Sequence, residues 1–237
     1  MLAQRTKELA RRLGVEISHY RPFAARVVAR LADGEVPLVI DVGASCGQYA
    51  SELRKHGYRG EIVSFEPVEE AFEQLATAAA GDTGWTCHRM ALGAVAEEAP
   101  IHVTSNLASS SLLEMGEGLR SGAPWVSVTG VETVRVVRLD DVLANKGPCM
   151  LKLDVQGYED RVLDGAPSTL ARASLLQCEL PIAELYAGQA QFRALIDRLD
   201  DAGFEFVDLD PFFRDRAGGV LQVDALLARR PPRGEGA

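Results

Sequence analysis

Two kinds of apolar spacing alternate along the chain, and their alternation predicts an α/β fold. Short unbroken apolar runs, typical of buried parallel strands, lie at residues 36–42, 62–65, 149–153 and 175–178, with a further strand and its turn at 86–93. Segments with helical apolar spacing follow several of these runs, as at Phe72, Leu75, Ala76 and Ala79. Repeated strand–helix units favour a doubly wound, mostly parallel sheet.

The two ends of the chain depart from this alternation. Residues 1–34 predict one or two helices, which we interpret as an N-terminal helical extension. Apolar runs at 204–207 and 220–226 predict a C-terminal antiparallel hairpin that closes a domain spanning residues 35–230. The last residues, 231–237, are expected to form a disordered tail.

The first apolar run ends in a glycine turn that opens a helix, the arrangement by which α/β folds receive nucleoside-containing ligands. The dinucleotide fingerprint G-x-G-x-x-G fails, because Ser45 and Gln48 stand where glycines are needed after Gly43. The phosphate loop fails too, because Gln48 follows Gly47. What remains, D-x-G-x-x-x-G, resembles motif I of the class I S-adenosylmethionine-dependent methyltransferases. Asp41 of this motif can accept hydrogen bonds from a cationic amino group, which a pyrophosphate lacks.

The second apolar run ends at Glu66-Pro67. Glu66 lies 19 residues after Gly47, close to the spacing of about 20 at which an acid reaches the ribose hydroxyls of a bound nucleoside. A carboxylate suits this role because it can accept hydrogen bonds from both hydroxyls of a diol. The turn after the third strand lies beside the adenine in a sheet of this type, so we expect Ala91 and Leu92 to line its edge.

An insertion interrupts the strand–helix alternation after the third strand. Two extra strands are predicted at 101–104 and 134–137, and the stretch between them, 105–133, is rich in glycine and serine. A connection of this length in a compact domain is uncommon unless it has a function. We interpret residues 105–133 as a flap near the active site, with an ordinary surface loop as the alternative.

The fourth apolar run carries two charged residues. Lys152 and Asp154 are two positions apart in an otherwise apolar strand and project from the same face. Buried charges are unfavourable unless they are paired or functional. Glu159 lies in the first turn of the next helix and Glu179 ends the following strand, so all four are candidate catalytic residues at the carboxyl ends of strands. The alternative is a structural ion pair with helix-capping acids.

Composition narrows the classes of protein. The 237 residues, 47% of them hydrophobic, fit one α/β domain with additions. No window approaches the roughly 18 apolar residues of a membrane span, and the first residues lack the apolar core of a signal peptide, so we expect a cytoplasmic protein without a membrane partner. The net charge is −9, with basic residues concentrated at the two ends, which argues against a nucleic-acid partner.

Several segments together resemble the FkbM-type methyltransferases over roughly residues 38–228. They are Asp41–Ala44, Phe65–Pro67, Ala91–Gly93, Leu151–Glu159 and Val162–Ala166. Ser45 and Cys46 depart from the family's pattern, which commonly has Asn at the first of these sites, and Gln156 stands where Glu is frequent. The resemblance implies a Rossmann-like fold of the class I methyltransferase type and O-methylation of hydroxyls on sugars or on secondary metabolites such as polyketides.

The resemblance and the motifs together give a set of expected site residues. S-adenosylmethionine, with S-adenosylhomocysteine as product, is expected to bind at Asp41, Gly43, Ala44, Ser45, Gly47, Tyr49, Glu66, Pro67, Ala91, Leu92 and Asp154. The acceptor is expected to be a small-molecule or glycan hydroxyl. Whether a divalent metal ion takes part, and whether the chain forms a homo-oligomer, stays open. The alternatives are a non-catalytic cofactor-binding partner subunit and an NAD-linked oxidoreductase, which the failed dinucleotide fingerprint disfavours.

Overall fold

The computed structural model describes residues 8, 10–14, 21–143 and 147–231. Its strands are β1 (Leu38–Val42), β2 (Glu61–Phe65), β3 (Trp85–His88), β4 (Ala91–Leu92), β5 (Glu97–Thr104), β6 (Val128–Val137), β7 (Cys149–Leu153), β8 (Ala173–Pro181), β9 (Phe204–Arg214) and β10 (Val220–Arg229). Its helices from residue 21 onwards are α1 (Phe23–Asp33), α2 (Gln48–Lys55), α3 (Glu69–Ala79), α4 (Glu117–Gly122), α5 (Leu139–Val142), α6 (Glu159–Asp164), α7 (Pro167–Arg172) and α8 (Phe192–Asp201).

A seven-stranded sheet with the order β3-β2-β1-β7-β8-β10-β9 forms the centre of the protein. The five strands from β3 to β8 run parallel, whereas β10 pairs antiparallel with both β8 and β9. The predicted fold class is therefore confirmed, including the C-terminal hairpin and the N-terminal helix. The strand order reverses between β1 and β7, and the crevice at such a switch point is where ligands bind in open α/β sheets.

The sheet is covered on both faces, as its nearly continuous apolar strands predict. All five residues of β1 and all five of β7 are buried. Alternate positions contribute to two apolar clusters, with Ile40 in one and Val39 in the other, because successive side chains of a strand point to opposite faces. The central strands therefore hold the residues at their carboxyl ends in fixed positions.

A second, three-stranded sheet with the order β4-β6-β5 contains the two extra strands predicted from the sequence. β6 begins at Val128 because its pairing with β5 extends that far, so six residues of the predicted flap 105–133 belong to a strand. Helix α4 lies within the remaining stretch and packs on the β8–α8 connection through an apolar cluster that includes Leu119 and Tyr186. Ala91 and Leu92 form the short strand β4 rather than a turn.

The N-terminal extension is described in part. Helix α1 buries Val27 and Leu31 in the apolar cluster that also contains Leu53 of α2. Residues 1–7, 9 and 15–20 of the predicted extension, and 232–237 of the predicted disordered tail, lie outside the described residues. Among the described helices, none has the length and apolar character needed to cross a bilayer.

The turn between β1 and α2 lies directly against the end of β7. Gly43 has a φ of +74°, and a Cβ added to it would lie 1.8 Å from the backbone oxygen of Asp154. Such a contact is impossible without movement of one backbone relative to the other. The glycine is therefore required both by the left-handed backbone conformation and by the close approach of two strand ends.

We expect Gly43→Ala to lower the free energy of unfolding by more than about 3 kcal/mol, because a left-handed backbone conformation and a steric clash add together. Gly188→Ala is the matched control, since Gly188 has a φ of +73° and no heavy atom lies within 4 Å of its added Cβ. The Gly188→Ala variant is expected to lower the free energy of unfolding by only about 1–2 kcal/mol. Urea unfolding of both variants measures the difference, and equal losses would contradict the proposed contact.

Candidate active site

The glycine turn is fastened to the end of the neighbouring strand by backbone hydrogen bonds. The N–H groups of Gly43 and Ala44 both donate to the carbonyl oxygen of Phe65, at 3.0 Å each. Ser45 adopts a left-handed conformation with a φ of +46°, and its N–H donates to Glu66 Oε2 at 2.8 Å. Glu66 thus fixes the turn as well as ending β2.

A buried lysine joins this turn to the end of β7. Lys152 Nζ lies 3.0 Å from Asp41 Oδ1 and 3.4 Å from Asp154 Oδ2, and it donates a hydrogen bond of 2.9 Å to the carbonyl oxygen of Gly43. Burial by itself lowers the pKa of Lys152, but the carboxylates of Asp41 and Asp154 outweigh it and raise that pKa above its ordinary value. A lysine held protonated in this way cannot accept the proton of a reacting group.

Asp41 lies in the core and not at the surface of the crevice, in contrast to its predicted contact with the amino group of the cofactor. Its side chain is completely buried, and besides facing Lys152 it accepts a hydrogen bond of 3.1 Å from Ser64 Oγ. Ser64 Oγ in turn accepts one from Trp85 Nε1 at 3.0 Å. The geometry therefore makes Asp41 a partner of the buried lysine, because the strand directs its side chain beneath the turn.

A cleft opens at the switch point between β1 and β7 and extends under the flap. Seven of the predicted cofactor-binding residues line it, namely Gly43, Ser45, Glu66, Pro67, Ala91, Leu92 and Asp154. Further lining comes from residues that the sequence reasoning did not select, namely Val42, Phe65, Met90, Ile101, Leu107, Ala108, Ser110–Leu112, Val155, Gln156 and Tyr158. The cleft thus combines one buried carboxyl group with a largely apolar wall.

The other predicted cofactor-binding residues do not line this cleft. Ala44 and Gly47 are in the turn, but Gly47 packs towards Leu75 and Trp85, below the cleft. Tyr49 points back over the sheet, where its hydroxyl donates a hydrogen bond of 2.7 Å to Gln177 Oε1. These positions serve the packing of the turn, because the start of α2 turns them towards the core.

Glu66 is the buried carboxyl group of the cleft. Burial raises its pKa to about 7, and the hydrogen bonds that it accepts from the N–H groups of Val68 and Ser45 only partly offset that effect. Each carboxylate oxygen accepts one of these bonds, Oε1 from Val68 at 2.9 Å and Oε2 from Ser45 at 2.8 Å. A carboxylate oxygen can accept more than one hydrogen bond, so both can also receive hydroxyl donors from a ligand.

Asp154 stands at the junction of this cleft with a second cavity of about 350 Å³. Gln156 lines both spaces as well, in a left-handed conformation with a φ of +56°. Its Nε2 donates to Asp154 Oδ1 at 2.7 Å and to Glu179 Oε2 at 2.8 Å. Its Oε1 accepts a 2.6 Å hydrogen bond from the hydroxyl of Tyr186, which fixes the orientation of the amide.

Acidic side chains line one wall of the second cavity. Burial and the neighbouring carboxylates of Asp154 and Asp224 raise the pKa of Glu179 well above its usual range. Burial, together with the carboxylate of Asp154, also raises the pKa of Asp224 to about 7. Both shifts arise because closely spaced, buried carboxylates repel one another when they are ionised.

Glu159 has a different position from the other predicted catalytic acids. It is buried beneath the turn that follows β7, and its Oε1 accepts hydrogen bonds from the N–H groups of Val155 and Gly157 at 3.1 and 3.3 Å. Burial raises its pKa to about 7 despite these bonds. It lines neither the cleft nor the second cavity, because the first turn of α6 directs it at the backbone.

Three polar residues around the junction were missed by the sequence reasoning: Gln156, Tyr186 and Asp224. Asp224 carried a usable signal, because an acid inside the apolar run 220–226 is the same anomaly that identified Asp154. Within the described residues, no three His, Cys, Asp or Glu side chains are arranged to hold a metal ion.

Comparison with known proteins relates this geometry to a family. Residues 41–206 match the methyltransferase FkbM domain. The 2-O-methyltransferase NoeI of Sinorhizobium fredii (strain NBRC 101917 / NGR234) is 27% identical over 234 residues, which cover 93% of this chain and 92% of NoeI.

The chain is also similar to solved structures. An rRNA methylase from Streptococcus thermophilus superposes with a TM-score of 0.50 at 11% identity, over 91% of this chain and 100% of that one. The magnesium protoporphyrin IX methyltransferase ChlM from Synechocystis PCC 6803 with bound SAM superposes with a TM-score of 0.48 at 14% identity, over 90% of this chain and 87% of that one. The family match covers most of the chain, and the chain therefore belongs to the FkbM family of S-adenosylmethionine-dependent methyltransferases.

Proposed function

We propose that this protein is an O-methyltransferase that acts on a hydroxyl of a small molecule, a sugar or a secondary metabolite of the polyketide or glycoside class. The observation that carries the proposal is the position of Asp154, a carboxyl group shared by the cleft and the second cavity. The name of the relative NoeI, a 2-O-methyltransferase, supports transfer to oxygen. The substrate class is supported by the family resemblance.

The residues of the cleft suit S-adenosylmethionine. Glu66 offers a carboxylate to the ribose diol, and Met90, Leu92 and Ile101 offer apolar surface to the adenine. Gly43, whose missing side chain permits close approach to Asp154, keeps the floor of the cleft free. When bound, the cofactor supplies an electrophilic methyl group on its sulfonium sulfur.

The chain's own residues then have two tasks at the junction. Methyl transfer to a hydroxyl forms an O–C bond and breaks an S–C bond, and the hydroxyl proton must leave. Asp154 can accept that proton. Gln156, which donates to one of its oxygens, and Lys152, which lies near the other, orient the carboxyl group. The walls of the second cavity orient the acceptor, which supplies much of the rate in a displacement of this kind.

The cofactor assignment predicts a pH-dependent affinity. Glu66 has a pKa of about 7 in the free protein, whereas the ribose diol requires the ionised carboxylate. The acid must therefore lose a proton on binding below pH 7, and the affinity for S-adenosylhomocysteine should fall as the pH decreases from 8 to 6. Glu66→Gln should abolish this dependence, and Glu66→Ala should weaken binding more than about tenfold, because charge-assisted hydrogen bonds of about 1.5–3 kcal/mol are lost.

Isothermal titration calorimetry with S-adenosylhomocysteine at several pH values measures these affinities. Circular dichroism of each variant serves as the control, because Glu66 also holds Ser45 in the turn. An affinity for the wild-type protein that is the same at pH 6 and pH 8, or unchanged in Glu66→Ala, would remove Glu66 from the cofactor site. Titration with NAD in parallel tests the oxidoreductase alternative.

The catalytic assignment predicts a selective loss of turnover in Asp154→Asn. Methyl transfer should fall by about two orders of magnitude, because a positioned base contributes about 10²–10⁴ to the rate. Affinity for S-adenosylhomocysteine should change much less, because the nearly isosteric amide keeps the shape of the cleft. Glu159→Gln is the matched control, since this acid lines neither space and should retain transfer in whatever fraction is folded.

Transfer of a labelled methyl group from S-adenosylmethionine to a panel of glycosides and hydroxylated polyketides, with NMR identification of the product, provides the assay. Products methylated only on nitrogen would refute transfer to oxygen. Near wild-type turnover in Asp154→Asn would show that another residue accepts the proton.

A further inference from the structure

The second cavity lies between the flap and the C-terminal hairpin, at the carboxyl ends of β7 and β8. It meets the cofactor cleft at Ala108, Asp154 and Gln156, which line both spaces. A group that enters it from outside can therefore reach Asp154 without passing through the cofactor cleft. This connection makes the second cavity the place where the proposed acceptor would lie.

A row of acids in register crosses the sheet beneath this cavity. Asp224 of β10 lies directly opposite Glu179 of β8 and directly opposite Asp210 of β9. Glu179 and Asp224 line the cavity, whereas Asp210 does not and lies 3.9 Å from the guanidinium group of Arg26. Like charges at directly opposite positions of antiparallel strands destabilise the sheet. Glu179 is only 4% exposed, so solvent does little to relieve the repulsion. An arrangement that is unfavourable for folding and faces a cavity next to a reactive site points to a ligand.

The cavity wall carries no positive charge. Its polar lining residues are Asn106, Ser109, Asp154, Gln156, Glu179, Gln222 and Asp224, and no Lys, Arg or His is among the described residues that line it. Lys152, close behind Asp154, is 3% exposed, and its ammonium group is already held by Asp41, Gly43 and Asp154. A phosphate or carboxylate that entered would therefore face carboxyl groups without a counter-charge.

Flat apolar surfaces complete the lining. Trp125 is 71% exposed and Phe212 is 55% exposed, although both are large aromatic residues, and Phe213 lies beside them. Exposed aromatic rings that border a polar pocket are typical of binding surfaces rather than of ordinary protein surface. They can cover the apolar face of a ring whose hydroxyls reach the amides and carboxyl groups.

We infer that this cavity binds the acceptor as a hydroxyl-bearing ring without negative charge, with its C–H face against Trp125 and Phe212 and its hydroxyls towards Asp154, Glu179 and Asp224. The inference rests on the proposed function for the identity of the ring as methyl acceptor. This inference implies that the ring is methylated only after any phosphate or nucleoside diphosphate has left it. The class of reaction that supplies the acceptor is then a glycosyl transfer or a phosphate removal.

Tryptophan fluorescence gives a direct test of occupancy. The chain has two tryptophans; Trp85 is buried, with its Nε1 bonded to Ser64, whereas Trp125 borders the cavity. The probes are the methyl glycosides of glucose, galactose and mannose, glucosamine, and the 6-phosphates of the same three hexoses. Trp125→Phe must abolish any emission change, which assigns the signal to this residue.

We expect uncharged and amine-bearing rings to alter the emission of Trp125 saturably, and the phosphorylated rings to bind about tenfold or more weakly, because like-charge contacts are strongly unfavourable. Glu179→Gln combined with Asp224→Asn should bring the phosphorylated rings to within about threefold of the uncharged ones by removing that repulsion. Asp197→Asn combined with Asp201→Asn is the matched control: it changes the net charge equally, on the exposed side of α8, and should leave the difference unchanged.

Two results would overturn the inference: phosphorylated rings that bind as tightly as uncharged ones, or a panel in which no ring alters the emission of Trp125. The readout is binding and not turnover. If the rings bind but are not methylated, the proposed function alone would therefore be disproved. Methyl transfer to these rings without a response from Trp125 would disprove the cavity assignment alone.

Discussion

The ammonium group of Lys152 is the interaction on which the arrangement of the site depends. It joins two segments that are far apart in the sequence, because from β7 it contacts Asp41 in β1 and the carbonyl oxygen of Gly43 in the following turn. It also lies 3.4 Å from Asp154 at the end of its own strand. A buried cation without partners would be strongly unfavourable, so the two carboxylates and the turn must be in place for this strand to fold. The glycine turn and the proposed base are thereby held in register with each other.

A glutamine, and not a charged residue, connects the acidic side chains at the junction between the cleft and the second cavity. Gln156 bridges Asp154 and Glu179 through its amide nitrogen, and Tyr186 fixes which end of the amide faces the acids. Burial raises the pKa of Tyr186 above its ordinary value, so its hydroxyl stays a donor. A glutamate at this position, which the FkbM-type pattern frequently has, would add a further negative charge to a wall that already contains Glu179 and Asp224. The glutamine therefore lets closely spaced acids coexist.

The sequence predicted those features that depend on short segments. The parallel strands, the glycine turn and the acid at the end of β2 follow from local apolar runs and from spacing, and the structure has them where they were expected. The direction of an individual acidic side chain does not follow from such short segments. Asp41 in β1 and Glu159 in the first turn of α6 were expected at the site together with Asp154, yet Asp41 lies under the turn and Glu159 accepts hydrogen bonds from backbone N–H groups. The acid row of the hairpin was not predictable, because it depends on the register of strands whose pairing the sequence does not specify.

The C-terminal hairpin contributes residues to the second cavity but none to the cleft. The residues of the cofactor cleft all precede Gly165, whereas Phe212, Phe213, Gln222 and Asp224 come from the last thirty residues of the described chain. The match to the family domain ends at residue 206, before most of this hairpin. The proposed donor cleft thus lies within the matched segment, whereas four of the fourteen residues that line the proposed acceptor cavity lie beyond it. Under the proposed function, substitutions in this part of the hairpin change the wall that faces the acceptor and leave the lining of the donor cleft as it is.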